Sequence, residues 1–300
     1  MARLFMSDGK DLEFNVFNSK IPDSSKVMVI VHGMTEHSKR YEHFANFLSD
    51  NGITVVTYDQ RCHGQSIDKP EDLGHLDAKN GFDRVTEDLH CIVSHVKYTF
   101  EGKDVYIMGH SFGSFVTQNY LEKYDDGIKG AILLGTAGPK TLTMFFGRIL
   151  AWFVKLFKGQ RKTSKLLHYV MHGSYNKKFP NETEYAWLSR DMNIQRAFID
   201  DPLCGFEPTI GFRYTFLGGL FNIHLKKNIH KMLNVPILIL GGDMDPVGNY
   251  GESVKNLGTA LNKDGRENVT LLLYKDNRHE LLNELDKEKV YSEILNWVRK

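Results

Sequence analysis

Six short apolar runs decide what this chain can fold into. They are residues 27–31 (VMVIV), 53–58 (ITVVTY), 105–108 (VYIM), 131–134 (AILL), 237–240 (ILIL) and 269–274 (VTLLLY). Each is continuous and β-branched rather than alternating, which suits strands buried on both faces of a parallel sheet. Amphipathic stretches at 40–49, 85–98, 112–124, 251–261 and 287–298 separate or follow them. Strand-then-helix alternation predicts an α/β fold, a mostly parallel sheet with helices on both sides. Ahead of it, LFM and LEFNVF flank the turn signal SDGK and predict an antiparallel hairpin.

The alternation lapses between residues 138 and 233, where no strand pattern occurs. We read 1–137 and 234–300 as two parts of one core, and 138–233 as a helical cap or lid inserted between them.

Composition narrows the function classes. The chain has 300 residues, 41% hydrophobic and 25% charged, as in a soluble globular protein. With 38 basic side chains against 37 acidic ones, no global field favours nucleic acid as a partner. Cys62, Cys91 and Cys204 form no CxxC pair, so neither a disulfide framework nor a zinc knuckle is expected, and a reducing compartment fits better. The N-terminus turns polar too soon for a secretory signal, and no apolar run reaches the ~20 residues of a membrane span. A cytoplasmic location is expected.

Four places carry chemistry. Gly109-His110-Ser111-Phe112-Gly113 is a G-x-S-x-G between a strand and a helix. A serine on so tight a turn needs small neighbours two residues away on each side. VIVHGMTEHS (29–38) follows another strand, and the N–H of Met34 there could pair with that of Phe112 to hold an oxyanion. His32 itself reads as a packed or hydrogen-bonding residue. His279, in YKDNRHELLNE, follows the last strand and is a candidate general base. GGDMDPVG (241–248) offers two carboxylates. Pro246 biases Asp245 toward an extended conformation, and Asn249 to Glu252 resembles a capping box that starts the next helix without it. Asp243 follows paired glycines, where aspartate is a common turn former. Asp245 could instead be a helix N-cap. All four places follow predicted parallel strands, whose carboxyl ends gather on one sheet edge, where ligands bind. The order serine, acid, histidine is the α/β-hydrolase order.

HGMTEHSKRY, YDQRCHGQS, GHSFG, the G-x-x-D of 242–245 and the RHE of 278–280 resemble the monoacylglycerol lipase and lysophospholipase-like (serine aminopeptidase S33-type) branch of the α/β-hydrolases. The resemblance covers most of the chain except the cap. It implies Ser111 as nucleophile, His279 as base, Asp245 as the acid that orients it, and the Met34 and Phe112 N–H groups as oxyanion hole. It separates the two aspartates, because the family's glycine stands three before its acid, as Gly242 does for Asp245. It implies two-step hydrolysis of a small, lipid-like ester through an acyl-enzyme, with no metal or organic cofactor. Four positions depart from the family pattern. Cys62 and Thr35 stand where glycine is common, Gln60 where histidine is common, and Leu282 where monoacylglycerol lipases carry a histidine near the glycerol exit.

In the cap, Leu142, Phe145, Phe146, Ile149, Leu150, Phe153 and Phe157 recur at helical spacing, with basic residues interrupting and following them. We read them as a helix packing over the active site. The sharper alternative is an interfacial helix that makes peripheral contact with anionic membrane. Cys204 is read as a small apolar residue on the cap's inner face. His168 and His172, four apart, lack the glutamate of HExxH and predict no metal site. Two other functions compete. A proline-iminopeptidase-like amidase would hold a free amine with Glu182, Glu184, Asp191, Asp200, Asp201 or Glu207. A ligand-binding homologue is disfavoured because all three side-chain roles are filled.

Overall fold

The computed structural model describes residues 2–180 and 182–300. The hairpin forms as β1 (Ala2–Phe5) and β2 (Asp11–Phe17), paired antiparallel. All six apolar runs become strands: β3 (Lys26–Val31), β4 (Ile53–Tyr58), β5 (Asp104–His110), β6 (Gly130–Leu134), β7 (Ile237–Gly242) and β8 (Val269–Tyr274). The eight-stranded sheet has the order β1-β2-β4-β3-β5-β6-β7-β8, and every pair from β4 to β8 is parallel.

The helices are α1 (Glu42–Asp50), α2 (Gly81–Thr99), α3 (Phe112–Lys123), α4 (Thr141–Lys158), α5 (Lys165–His172), α6 (Met192–Asp200), α7 (Ile210–Ile223), α8 (Lys226–Ile229), α9 (Glu252–Lys263) and α10 (Lys287–Arg299). Two apolar clusters cover the two faces of the sheet. One joins Val27, Val29 and Ile107 to α2, α3 and α9, and the other joins Met28, Ile30 and Met108 to α1 and α10. Alternate residues of one strand feed opposite clusters, which is why the runs lack polar interruptions.

β8 is the sheet edge and is only half-buried, yet Val269, Leu271 and Leu273 pack on the first cluster and Leu272 and Tyr274 on the second, so its apolar run is explained by two covered faces beside an open edge. The chain between β6 and β7 contributes no strand among the described residues and passes through α4 to α8. No helix of the described residues is long and apolar enough to cross a membrane.

Chain order reverses at β3, which pairs with β4 on one side and β5 on the other. Such a switch point opens a crevice at the carboxyl ends of the strands. His32, Ser111, Asp245 and His279 all follow strands that end there.

Candidate active site

Ser111 joins β5 to α3 at φ 50°, ψ −117°. That is a strained conformation for a side chain with a Cβ, and such strain gathers at functional sites. Its glycine neighbours have no room for side chains. A Cβ on Gly113 would strike the carbonyl oxygens of Val31 and His32, and one on Gly109 would strike Gly113 and Thr117. The helix behind Ser111 therefore packs directly onto β3, and its positive N-terminal end faces the crevice.

Asp245 and His279 meet. Asp245 Oδ2 lies 2.9 Å from His279 Nδ1, with both side chains buried. The other oxygen, Oδ1, accepts the Val247 N–H at 2.8 Å and closes a turn over Pro246. Asp245 is therefore not a helix N-cap. Asp243 faces elsewhere, accepting the Asp276 N–H through Oδ1 at 2.7 Å as a tie between loops. Gly242 is required for the close approach, because a Cβ there would strike the carbonyl oxygens of Asn277 and Arg278. The expected capping box at 249–252 does not form. Asn249 and Tyr250 take φ 50° and 57°, and Gly251 in the left-handed region is the N-cap of α9. A sharper turn is needed there, since the Tyr250 N–H donates to the Asp245 carbonyl oxygen at 2.8 Å.

Met34, Ser111, Phe112 and His279 line a cavity of about 590 Å³ beneath α4, α5 and α7. That volume lies within the ~300–1,000 Å³ of small-ligand sites. The backbone N–H groups of Met34 and Phe112 find no acceptor among the described residues. Nor does a hydrogen bond join Ser111 Oγ to His279 among them. The structure thus brings the acid and the histidine together and sets the serine on the same cavity wall, without closing the serine–histidine contact. Cavity walls from the helical segment are largely apolar: Met144, Leu150, Leu167, Phe216, Leu217 and Leu220. Leu282 is not among the lining residues. It packs in the core cluster beside Tyr291, so it does not alter the cavity mouth.

A buried polar network below the cavity was not legible in the sequence. Arg40 meets Glu280 twice, at 2.6 and 2.7 Å, and Glu36 once, at 2.5 Å. Glu36 also accepts the Gly33 N–H at 2.5 Å and the Tyr41 hydroxyl at 2.8 Å. His110 Nδ1 stands 3.2 Å from Glu36. Burial alone would raise the Glu36 carboxyl, but the charge of Arg40 and the His110 contact hold it well below the usual carboxylate range. Burial pulls His110 down, yet Glu36 and Glu280 outweigh it and raise its pKa. The network fixes the Gly33–Met34 turn on one side and the His279 loop on the other. Its signal was present in Glu36, Arg40 and Glu280, charged residues beside motif positions, but their pairing spans 240 residues and no local pattern shows it.

Two of the four departures from the family pattern fall on strained backbone. Thr35 has φ 55° and Cys62 has φ 64°, where glycine is favoured. Gln60 donates its backbone N–H to His32 Nε2 at 2.9 Å and its amide to the His32 carbonyl oxygen at 2.6 Å. His32 is thus held as a structural, buried residue, which burial keeps neutral by lowering its pKa.

The α4 stripe faces outward. Leu142, Phe146 and Phe157 are 71%, 60% and 83% exposed, and Phe145, Ile149 and Phe153 are exposed too. Of the seven stripe residues only Leu150 turns inward, joining Met144, Gly147 and Ala151 against α7 and the cavity. The helix does lie over the site, but on its narrow, small-residue face.

Known proteins resemble this chain throughout. The family described as serine aminopeptidase, S33 matches residues 22–286. A probable lysophospholipase L2 of Haemophilus influenzae is 27% identical over 278 residues, covering 88% of this chain and 81% of that protein. A monoacylglycerol lipase of Mycolicibacterium smegmatis is 24% identical over 298 residues, covering 94% and 92%. An abhydrolase domain-containing protein of Dictyostelium discoideum is 24% identical over 305 residues, and there the chain spans 29% of the relative's length. A thermostable carboxyl esterase of Bacillus coagulans, solved with glycerol, superposes with a TM-score of 0.91 at 26% identity, covering 99% of this chain and 97% of that one.

Proposed function

The chain belongs to the serine aminopeptidase, S33 family of α/β-hydrolases, and from that premise we propose that it hydrolyses carboxylic esters of apolar acyl groups through an acyl-enzyme on Ser111. The observation that carries this reading is the buried 2.9 Å contact of His279 with Asp245 on the wall that holds Ser111. Donating Nδ1–H to Asp245 leaves Nε2 of His279 with its lone pair, the tautomer a general base needs. His279 takes the Ser111 proton as Oγ attacks the ester carbonyl. The Met34 and Phe112 N–H groups receive the oxyanion. His279 then protonates the leaving alcohol, and water repeats the sequence to free the acid. Asp245 holds the imidazole and stabilises its charged form.

Residues 138–233 serve as the cap in this reading, and their apolar cavity walls favour an acyl chain. A monoacylglycerol, a lysophospholipid or a similar small ester fits. The amine-binding alternative keeps only part of the acidic set it needs. Glu182 is engaged by Arg278, Asp201 by His37, Glu207 by Arg213, and Asp191 caps α6, while Glu184 remains on the cavity wall. The test is hydrolysis of p-nitrophenyl esters of roughly two to sixteen carbons, beside proline and alanine arylamides, by wild type and Ser111→Ala. We expect ester turnover that Ser111→Ala abolishes. Arylamide turnover exceeding ester turnover would establish the amidase instead.

A second element of function follows from the outward apolar face of α4. Exposed Trp152, Phe153, Leu156 and Phe157 lie beside Lys155, Lys158, Arg161, Lys162 and Lys165. Apolar side chains rimmed by cations suit peripheral contact with an anionic lipid surface, where the substrate would reside. Co-sedimentation with anionic vesicles at low salt tests it, and an unbound protein would dismiss it.

A further inference from the structure

Outside the Ser111 cavity, one cluster combines three metal-ligating side chains. His37 lies on the turn after Met34, and Asp201 and Cys204 lie on the loop after α6. One donor atom from each residue falls within 4.8 Å of the other two, and no other such group of three occurs among the described residues. His37 Nε2 stands 2.8 Å from Asp201 Oδ2. Asp201 Oδ1 is occupied by the Leu203 N–H at 2.8 Å, which fixes the carboxylate and aims Oδ2 at the cluster. His37 and Cys204 are 6% and 8% exposed, while a third of the Asp201 side chain reaches solvent and gives an entry path.

We propose that His37, Asp201 and Cys204 form a zinc-binding site that staples the cap to the turn carrying Met34. Zinc takes imidazole, thiolate and carboxylate at ~2.0–2.3 Å in a tetrahedron, so its ligand atoms stand roughly 3.3–3.8 Å apart. To reach that spacing the His37–Asp201 pair opens by about 0.5 Å from 2.8 Å, while Cys204, with all donor atoms within 4.8 Å, closes by at most about 1 Å. Three protein ligands leave the fourth position for water. The donor set mixes soft and borderline atoms, which favours zinc over magnesium or calcium. Binding exchanges three zinc-bound waters for Zn–N, Zn–S and Zn–O bonds, breaks the His37–Asp201 hydrogen bond, moves the His37 proton from Nε2 to Nδ1 and releases the Cys204 thiol proton to solvent. The bound site is neutral, since thiolate and carboxylate balance the dication. Binding therefore raises the local charge by one, from the single negative charge of Asp201, and leaves no net positive charge beside Arg40.

The site's position gives it a consequence. The Gly205 N–H already donates to the Thr35 carbonyl oxygen at 2.9 Å, one residue from Met34. A metal joining His37 to Asp201 and Cys204 holds this seam shut and with it the loop over the cavity. Zinc should lower ester turnover about tenfold. This regulatory half rests on the proposed role of Met34; the metal site itself does not.

The experiment uses metal-free Ser111→Ala protein titrated with cobalt(II), so its outcome is independent of catalysis. A thiolate-to-cobalt charge-transfer band in the near ultraviolet, absent in Cys204→Ser and displaced by zinc, is expected. Zinc should also raise the melting temperature by several degrees at a large excess over Kd. No band, or a band that survives in Cys204→Ser, overturns the site. If Cys204→Ser does not fold, His37→Gln replaces it, and an undiminished cobalt affinity there overturns the site equally. In wild type, the ratio of turnover with and without zinc reads the second half. A cobalt band accompanied by an unchanged ratio would overturn the regulation and leave the site standing.

Discussion

Two parts of the proposed cap are held in place by opposite kinds of contact. Residues 182–190 are strapped to the His279 loop by directional bonds. Arg278 binds Glu182 through two nitrogens at 2.6 and 2.8 Å, stacks on Phe179 and donates to the Ala186 carbonyl oxygen. Arg190 returns the grip on Glu284 and Asn277. The His279 and Glu280 N–H groups donate to Trp187 and Leu188 carbonyl oxygens. By contrast, α4 rests on α7 through Met144, Gly147, Leu150 and Ala151, with most of its large side chains facing out. Hydrogen bonds and ion pairs fix a geometry by direction, whereas the α4–α7 contact fixes it by close packing, with Arg148 and Lys155 over the Tyr214 ring. The strap holds a histidine whose placement matters to fractions of an ångström.

The largest expected effect lies on the strapped side. Asp245→Asn should lower kcat by about three to four orders of magnitude, because the amide favours the wrong histidine tautomer. Asp243→Asn should change kcat little, since the amide oxygen can still accept the Asp276 N–H. Steady-state kinetics of both variants on one ester decide the matter, and a reversal of the two effects would place the acid at 243.

Next comes the strap itself. Arg278→Ala leaves the Ala186 carbonyl without its partner and Glu182 with only the Gln195 amide, at 3.1 Å. Glu182 is 31% exposed in its side chain, so water compensates part of the loss, and about 2 kcal/mol of stability should disappear. Urea denaturation measures that. A tenfold or larger fall in kcat with little change in KM is expected beside it, because His279 rather than the cavity is loosened. A change in KM alone would mean that the strap shapes the pocket instead.

Much of this arrangement could be read before the structure. The six strands and the positions of Ser111, Asp245 and His279 at their carboxyl ends follow from local runs, glycine spacing and proline. What stayed hidden involves pairing across the chain. Arg40 with Glu280, Arg278 with Glu182 and His37 with Asp201 each join distant segments, and a charged residue in a loop looks the same in sequence whether it is solvated or buried. The direction of α4 was misjudged for a related reason. Its heptad-like stripe is the more apolar face, but a helix lying on a neighbour at Gly147 and Ala151 packs by closeness of approach. The capping box at 249–252 gave way to a tighter turn that the Asp245 carbonyl requires.

Acid should act where cap and core meet. His63 is buried among Phe112 of α3 and Phe206 and Phe212 of the proposed cap, at ring distances of 6.2, 5.5 and 5.9 Å. Burial, assisted by His32, lowers its pKa to about 3. His224, on the cavity wall, is lowered to about 4 by burial. A base whose folded pKa is depressed binds protons first in the unfolded chain. Its contribution is therefore whole above the unfolded value of about 6.5 and falls as pH drops toward the folded value. His110, with a raised pKa, works in the opposite sense. For His63 alone the loss by pH 5 is about 2 kcal/mol. Denaturation midpoints at neutral and acid pH measure it, and a midpoint that stays flat from pH 7 to 5 would contradict it.

The smallest effect on stability belongs to the outward face of α4. Replacing Phe153 and Phe157 by serine removes side chains that face solvent, so each change should stay within about 0.5 kcal/mol. Turnover of a short, water-soluble ester should also be unchanged, because neither residue lines the cavity. The same two changes should sharply reduce turnover of a long-chain ester presented in anionic vesicles, where α4 would supply the contact. Each lost phenyl side chain removes roughly 1.5–3 kcal/mol of apolar transfer, which is ample to release a weakly docked protein. If the vesicle rate holds while binding is lost, docking is incidental to the chemistry. If both fall together with the soluble assay untouched, then the strap serves the histidine and the outward face of α4 serves the substrate's surface. An equal loss in both assays would mean that α4 is not independent of the strapped part at all.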